Sequence, residues 1–250
     1  MRVAAIQYKP PKGRPELARQ ELADLISSAG RQGARVVVCP EMAVLGYVWP
    51  SLASVLHLAE PASGPTFQVV SALARQFSMW VTVGFAERDG TRLYNSALVV
   101  GPTGELVTVY RKVLLFDLDR TWASAGDKRV ILNVDGLRVA IGICMDLNDE
   151  GFRHFLGHER PDQLWFLTNW LEEGMDVVGY WRRRTAPWTG ALVAANTWGD
   201  DGAVGFSGRS LIWESPHRIV GRAGRDGQTV VVADLNVQLA SETGSRLAVG

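Results

Sequence analysis

Three short segments of the chain carry side chains able to do covalent chemistry. Val36-Val37-Val38-Cys39-Pro40-Glu41 brings a carboxylate to the end of an apolar run. Val109-Tyr110-Arg111-Lys112 ends on a cation, and Ile141-Gly142-Ile143-Cys144-Met145-Asp146 carries a thiol at the end of a third run. A thiol can act as nucleophile, a carboxylate as proton carrier, and an ammonium as counter-charge to a developing anion. Singly, each residue has a plainer account. A glutamate after proline more often caps or solvates a turn, a strand-end lysine usually reaches water, and a buried cysteine is usually an inert small hydrophobe. Their shared position sets them apart, because layered α/β folds gather ligands at strand ends.

The elements that must position them follow from periodicity. Val3 to Tyr8 reads as a strand, and Pro10-Pro11-Lys12-Gly13 breaks it. A helix starting at Pro15-Glu16 carries Ala18, Leu22, Leu25, Ile26 and Ala29 on one face, and Gly30 and Gly33 stop it. Arg35 to Cys39 is a buried strand, and Thr66 to Ser78 a second amphipathic helix. Strands over Trp80–Glu87, Leu93–Val100 and Glu105–Arg111 are separated by Asp89-Gly90 and by Gly101-Pro102-Thr103-Gly104, so they pair antiparallel. Val130–Val134 and Leu137–Ile143 flank Asp135-Gly136, the strongest short hairpin signal in the chain. A helix within Glu150–Gly157 follows. The second half continues with strand Leu164–Leu167, helix Met175–Thr185, and strands at Ala191–Ala195, Arg209–Trp213 and Thr229–Ala233. Mixed sheets with interspersed helices imply layers, two sheets with helices outside. No linker or short repeat interrupts the 250 residues, so one domain over 1–250 is expected.

Composition excludes several classes. Lys+Arg and Asp+Glu number 26 each, which gives no global reason to expect nucleic acid or a membrane surface as partner. Arg182-Arg183-Arg184 reads as a solvated helix face. Two cysteines, Cys39 and Cys144, form no disulfide framework and suit a reducing compartment. The opening residues turn polar too soon for a signal peptide, and no apolar run approaches the ~18 residues of a membrane span. A cytoplasmic protein is expected.

Taken together, Pro40-Glu41, Tyr110-Arg111-Lys112 and Gly142-Ile143-Cys144-Met145-Asp146 resemble, in order and spacing, the nitrilase or carbon–nitrogen hydrolase superfamily. Ala4-Ala5-Ile6-Gln7, Tyr94-Asn95-Ser96-Ala97, Ala195-Asn196-Thr197-Trp198-Gly199 and Phe206-Ser207-Gly208-Arg209-Ser210 extend the match over nearly the whole chain. The resemblance implies an α/β fold built as a four-layer α-β-β-α sandwich. It also implies a catalytic trio of Glu41, Lys112 and Cys144, and pairing into a homodimer or larger assembly. Two positions depart from the family pattern. Where members often carry histidine two residues after the lysine and glutamate seven after it, this chain has Leu114 and Asp119. Within the superfamily, Gly142 to Asn148, the Asp119 and Thr121-Trp122 pattern, and Tyr180-Trp181 with Arg184 and Pro187 look like segments of protein N-terminal amidases. Those enzymes deamidate N-terminal Asn or Gln, and this chain is expected to be shorter than they are.

The chemistry such a trio implies needs neither metal nor organic cofactor. A free thiol titrates near ~8.5, so Cys144 needs activation, either by a nearby ammonium or by a carboxylate that takes its proton. Glu41 is expected to shuttle the proton, Lys112 and the backbone N–H of Met145 to hold the oxyanion, and Asp119 to act as a second carboxylate. For substrate contact the candidates are Tyr47, Asp146, Asn169 and Trp170. If an amine is recognised, Asp146, Glu172, Glu173 and Asp176 are the anions that could face it. The partner is then an amide-bearing small molecule or a peptide N-terminus. An ω-amidase, carbamoylase or nitrilase would use the same trio, as would an acyltransferase, and an inactive scaffold is the bland alternative.

Other readings are weaker. A cysteine–histidine hydrolase would draw on His57, His154, His158 or His217, none of them in a local signature of that kind. His154 and His158 have zinc-compatible spacing, yet no glutamate lies between them in the metalloprotease position and Gly157 weakens the helix. The glycines of 199–208 and 221–227 match no phosphate-cradling loop and read as turns and a pocket-edge loop.

Overall fold

The structure is a computed structural model that describes residues 1–236. Strand β1 (Arg2–Gln7) leads into helix α1 (Pro15–Arg31), then β2 (Val36–Val38), the short α2 (Leu52–Val55) and α3 (Pro65–Phe77). Three strands follow, β3 (Trp80–Asp89), β4 (Arg92–Val100) and β5 (Leu106–Arg111), then the hairpin β6 (Ile131–Val134) and β7 (Leu137–Ile143). A 3-10 turn at Cys144–Asn148 joins β7 to α4 (Glu150–Glu159), and β8 (Gln163–Thr168), α5 (Val177–Thr185) and β9 (Ala191–Asn196) continue the alternation. The remaining strands are β10 (Trp198–Asp201), β11 (Val204–Ser207), β12 (Leu211–Glu214), β13 (Arg218–Arg222) and β14 (Thr229–Asp234).

Two six-stranded mixed sheets result, in the orders β14-β1-β2-β3-β4-β5 and β13-β12-β9-β8-β7-β6. In each, three adjacent parallel strands (β1, β2, β3 and β7, β8, β9) are flanked by antiparallel neighbours. The two sheets are therefore built alike. Side-chain alternation assigns the layers. Val3, Ala5, Val36 and Val38 of the first sheet join Val139, Ile141, Trp165 and Leu192 of the second in one core. Ala4, Ile6 and Val37, one residue out of phase, instead face Leu22, Ile26 and Ala74 of α1 and α3. Phe152, Leu156 and Trp181 of α4 and α5 cover the second sheet. This is the four-layer α-β-β-α sandwich expected, and the period-2 pattern of β1 and β2 specifies it.

Element boundaries depart from expectation in informative places. Asp135 and Gly136 both take positive φ, 52° and 88°, as the tight β6–β7 turn requires. The stretch expected to be turns and a pocket-edge loop is instead the hairpin β10–β11, a two-stranded sheet of its own. Glycine and aspartate masked it, since they are poor strand formers even where ladder pairing holds them. Strand β13 and the single-turn helix α2 also lie outside the elements expected. The arginine run is not uniformly solvated: Arg184 donates from Nε and Nη2 to the carbonyls of Leu147 and Asn148, at 2.9 and 2.8 Å, tying α5 to the 3-10 turn.

Candidate active site

The carboxylate arrives from the first sheet. Beyond β2 the backbone of Pro40 and Ala43 stays paired with Gly84 of β3, at 3.1 and 2.8 Å, so Glu41 leaves the sheet on a supported loop. Gly84 is needed there. A Cβ at that position would lie 2.4 Å from the Pro40 carbonyl and 2.5 Å from the Glu41 Cα. Glu41 Oε1 accepts from Lys112 Nζ and from Asn95 Nδ2, both at 2.7 Å, while Oε2 accepts from the Asn169 backbone N–H at 2.9 Å. Lys112 follows β5, and its ammonium also reaches Asp119 Oδ2 at 2.6 Å. Asn95 donates to Asp119 Oδ1 as well, at 3.0 Å, so one amide bridges both carboxylates. Glu41 and Lys112 are wholly buried and Asp119 is 1% exposed.

The thiol arrives from the second sheet. Cys144 follows β7 directly and opens the 3-10 turn with φ +42°, a left-handed backbone that a non-glycine residue adopts at a cost of about 1–3 kcal/mol. Such strain at a strand exit aims a side chain away from the sheet. The thiol feels the charges of both Glu41 and Lys112. Met145, one residue on in the first turn, sits where backbone N–H groups have no intrahelical acceptor.

The electrostatics favour one activation route over the other. Burial raises the Cys144 thiol above its ordinary range, and the Glu41 charge pushes the same way, against the opposing pull of Lys112. Burial likewise raises Glu41, outweighing Lys112. For Lys112 burial acts to lower the ammonium, but Asp119 and Glu41 outweigh it and hold the group protonated far into the alkaline range. The site thus sets a thiol raised above its ordinary range beside a firmly held ammonium, with a carboxyl whose proton affinity burial has increased. That fits proton transfer during attack, not a standing thiolate.

A cavity of about 220 Å³ borders the thiol. Cys144, Met145, Tyr47, Asn169 and Trp170 line it, and Glu41 and Lys112, both wholly buried, act on the thiol at its floor. Of the expected substrate contacts, Tyr47, Asn169 and Trp170 are therefore at the cavity. Tyr47 also reaches back into the charge cluster, its hydroxyl 3.3 Å from Asp119 Oδ2 and its ring 5.5 Å from Lys112 Nζ. Asn169 donates from Nδ2 to the Glu41 carbonyl at 2.9 Å, and its Oδ1 is buried with no partner among the described residues.

Asp146 is the correction. It is fully buried and does not line the cavity. Its Oδ1 accepts from the Val113 and Leu114 backbone, each at 3.0 Å, and its Oδ2 from the Tyr110 hydroxyl at 2.7 Å and the Ile143 N–H at 2.9 Å. With every lone pair engaged it pins the Lys112 loop to the Cys144 turn and has nothing left for a substrate. The histidines His154 and His158 are exposed on α4, and among the described residues no group of three His, Cys, Asp or Glu side chains is placed to hold a metal. Cys39 and Cys144 are both free thiols. Sequence reasoning missed Asn95 as a bridge, the Asn169 backbone as a donor, and Gly84 as a spacer. Only Asn95 had left a signal, as part of a matching segment.

An α-β-β-α sandwich with a thiol, an ammonium and a carboxylate converging at its strand exits defines a cysteine-type hydrolase of the nitrilase fold. The comparisons with known proteins agree. The chain belongs to the carbon–nitrogen hydrolase family, whose sequence pattern matches residues 2–244. A nitrilase of Pyrococcus abyssi is 26% identical over 257 residues, covering 96% of this chain and 91% of that protein. A protein N-terminal amidase of Schizosaccharomyces pombe is 27% identical over 262 residues, covering 86% and 91%. A protein N-terminal amidase of Saccharomyces cerevisiae is 26% identical over 183 residues, which cover 63% of this chain but 40% of that protein, so the expected shortness holds against it. Among solved structures, an amidase of Nesterenkonia sp. AN1, with the acetamide moiety of fluoroacetamide covalently added at its active-site cysteine, superposes with a TM-score of 0.84. It is 20% identical, with 94% of this chain and 90% of that one covered. The protein is accordingly an enzyme that hydrolyses carbon–nitrogen bonds of amides. No described helix is long and apolar enough to cross a membrane.

Proposed function

We propose that the chain, acting as one catalytic domain, hydrolyses a primary carboxamide through a thioester on Cys144, with Glu41 as proton carrier and Lys112 as anion stabiliser. The observation that carries this reading is the buried Lys112 ammonium, shared by Glu41 and Asp119 and acting on a thiol at positive φ. Sulfur adds to the carbonyl carbon while Glu41 takes the thiol proton. The oxygen becomes an oxyanion facing Lys112 and the Met145 N–H. Collapse of this adduct breaks the C–N bond, and Glu41 passes its proton to the departing nitrogen, which leaves as ammonia. Water then attacks the thioester, Glu41 takes its proton, and the acid departs as the thiol is restored. Shielding from water strengthens each of these charge interactions, since the local dielectric is low. Asp119 keeps Lys112 charged and aimed when Glu41 is protonated.

The relatives named protein N-terminal amidases, together with the segments at 142–148 and 180–187, support an N-terminal Asn or Gln side chain as the substrate amide. Family expectation adds a homodimer in the cytoplasm, which light scattering checks for the assembly. The decisive assay is ammonia release from Asn- and Gln-starting peptides, glutamine, ω-amides, carbamoyl amino acids and nitriles, by the parent and by Cys144→Ala. The variant should keep the fold by circular dichroism and lose turnover by about 10⁴-fold or more. Wild-type activity in that variant removes the nucleophile assignment. Hydrolysis of small amides but not of peptides removes the N-terminal reading and leaves the reaction class, and added amines expose any acyl transfer.

A further inference from the structure

The four anions that could face an amine are separated by their contacts. Asp146 is buried and fully hydrogen-bonded. Glu172 pairs with Arg209 at 2.8 Å and lies 3.7 Å from Arg225. Asp176 caps α5, accepting from the Gly179 N–H at 3.0 Å. Glu173 differs from all three. It is exposed, has no ion-pair partner among the described residues, and is the only charged side chain lining the cavity that holds Cys144.

The surroundings of that carboxylate suit a cation. Trp170 and Tyr180 line the same cavity with ring centroids 5.5 Å apart, and Tyr180 is fixed by its hydroxyl donating to Asn148 Oδ1 at 2.7 Å. Aromatic faces beside a lone carboxylate attract an ammonium by charge and by cation–π contact, and repel a second carboxylate. The cavity, about 220 Å³, is smaller than the ~300 Å³ at which drug-sized sites begin, so it takes a short acyl chain and not a folded surface.

We infer that Glu173 is a specificity-determining residue that binds a protonated amine on the acyl chain of the substrate, so that amides bearing an ammonium are preferred over neutral ones or those bearing a carboxylate. This inference rests on the amidase reading and deepens it. Residues 171–176, between β8 and α5, would set what the thiol sees, while the chemistry stays with Cys144, Glu41 and Lys112.

The test compares kcat/KM for ammonia release on an asparaginyl dipeptide, its N-acetyl form, succinic acid monoamide and propionamide. The parent should favour the free amine over the N-acetyl form by about tenfold or more, the scale of one exposed ion pair with aromatic support. In Glu173→Gln that ratio should fall toward one, chiefly through KM. Glu173→Asp should keep part of it, and Glu173→Lys should turn the preference toward the monoamide carboxylate. A ratio unchanged in Glu173→Gln, or a parent that hydrolyses propionamide without discriminating the amine, overturns the assignment and spares the amidase reading. Ammonia from none of the amides removes both.

Discussion

Two buried carboxylates lie a short way apart and are held in opposite manners. Asp146 accepts only neutral donors, three backbone N–H groups and a tyrosine hydroxyl, and does not line the cavity at Cys144. Glu41 accepts from an ammonium, a side-chain amide and one N–H, and acts on the thiol. Both are raised by burial above their ordinary range, so a perturbed carboxyl alone does not mark catalysis. The distinction lies in the partners. A set of fixed neutral donors fastens loops, whereas a shared cation that can keep its charge while the carboxyl gains and loses a proton serves a reaction.

The largest test of that contrast is Glu41→Gln. Turnover should fall by about 10²–10⁴-fold, the usual worth of a proton carrier, measured as initial ammonia release. Stability should move the other way. The native chain holds the Glu41 proton more tightly than the unfolded chain, so the stability linked to it is complete below an unfolded value near ~4.3 and is lost as pH rises through the raised native value. Glu41→Gln does not titrate, and its urea midpoint should gain on that of the parent between acid and neutral pH. A variant that loses stability at neutral pH would make Glu41 a structural group like Asp146. Asp146→Asn, whose amide cannot accept from all four donors, should lose about 2–3 kcal/mol in urea unfolding with kcat of the folded fraction within about tenfold.

Asn95→Ala should lower kcat by about 10–100-fold, as for a misaligned reacting group. Because the Asn95 hydrogen bond lowers Glu41, its removal should also shift the acid limb of the pH–rate profile to higher pH. Unchanged limb and rate would dismiss Asn95 as a positioning residue. The smallest effect belongs to Tyr110→Phe, which removes one bond to Asp146 and should cost about 1 kcal/mol of stability without altering kcat. A drop in turnover there would couple the two carboxylates more closely than their contacts suggest.

Most of the scaffold was readable because it rests on local rules. The alternation of Val3 to Ile6, the stripe of α1 and the Asp135-Gly136 turn each announce their element within a few residues. The site was legible only in its reacting types, Glu41, Lys112 and Cys144, set at strand exits. What holds those types is non-local. Asn95 lies 54 positions from Glu41 and the Asn169 N–H 128 positions away, and a backbone donor leaves no trace in residue identity. Asp146 misled for a related reason. A carboxylate two residues after the thiol looks available until its four donors, contributed by β5, β7 and the loop after β5, are in place. The β10–β11 hairpin hid behind Gly199, Asp200, Asp201 and Gly202, whose turn character outweighs their strand pairing in any local window.

Glu41 and Lys112 follow strands of one sheet, Cys144 and Asn169 strands of the other, and beyond the packed middle layer a few hydrogen bonds, from Asn169 to Glu41 and from the loop after β5 to Asp146, keep them in register. Ammonia production is therefore a gauge of how the two sheets are seated on each other. A slippage of a single ångström between them, too small to alter circular dichroism, would part sulfur from its proton acceptor. During gentle denaturation the enzyme should fall silent before its strands dissolve.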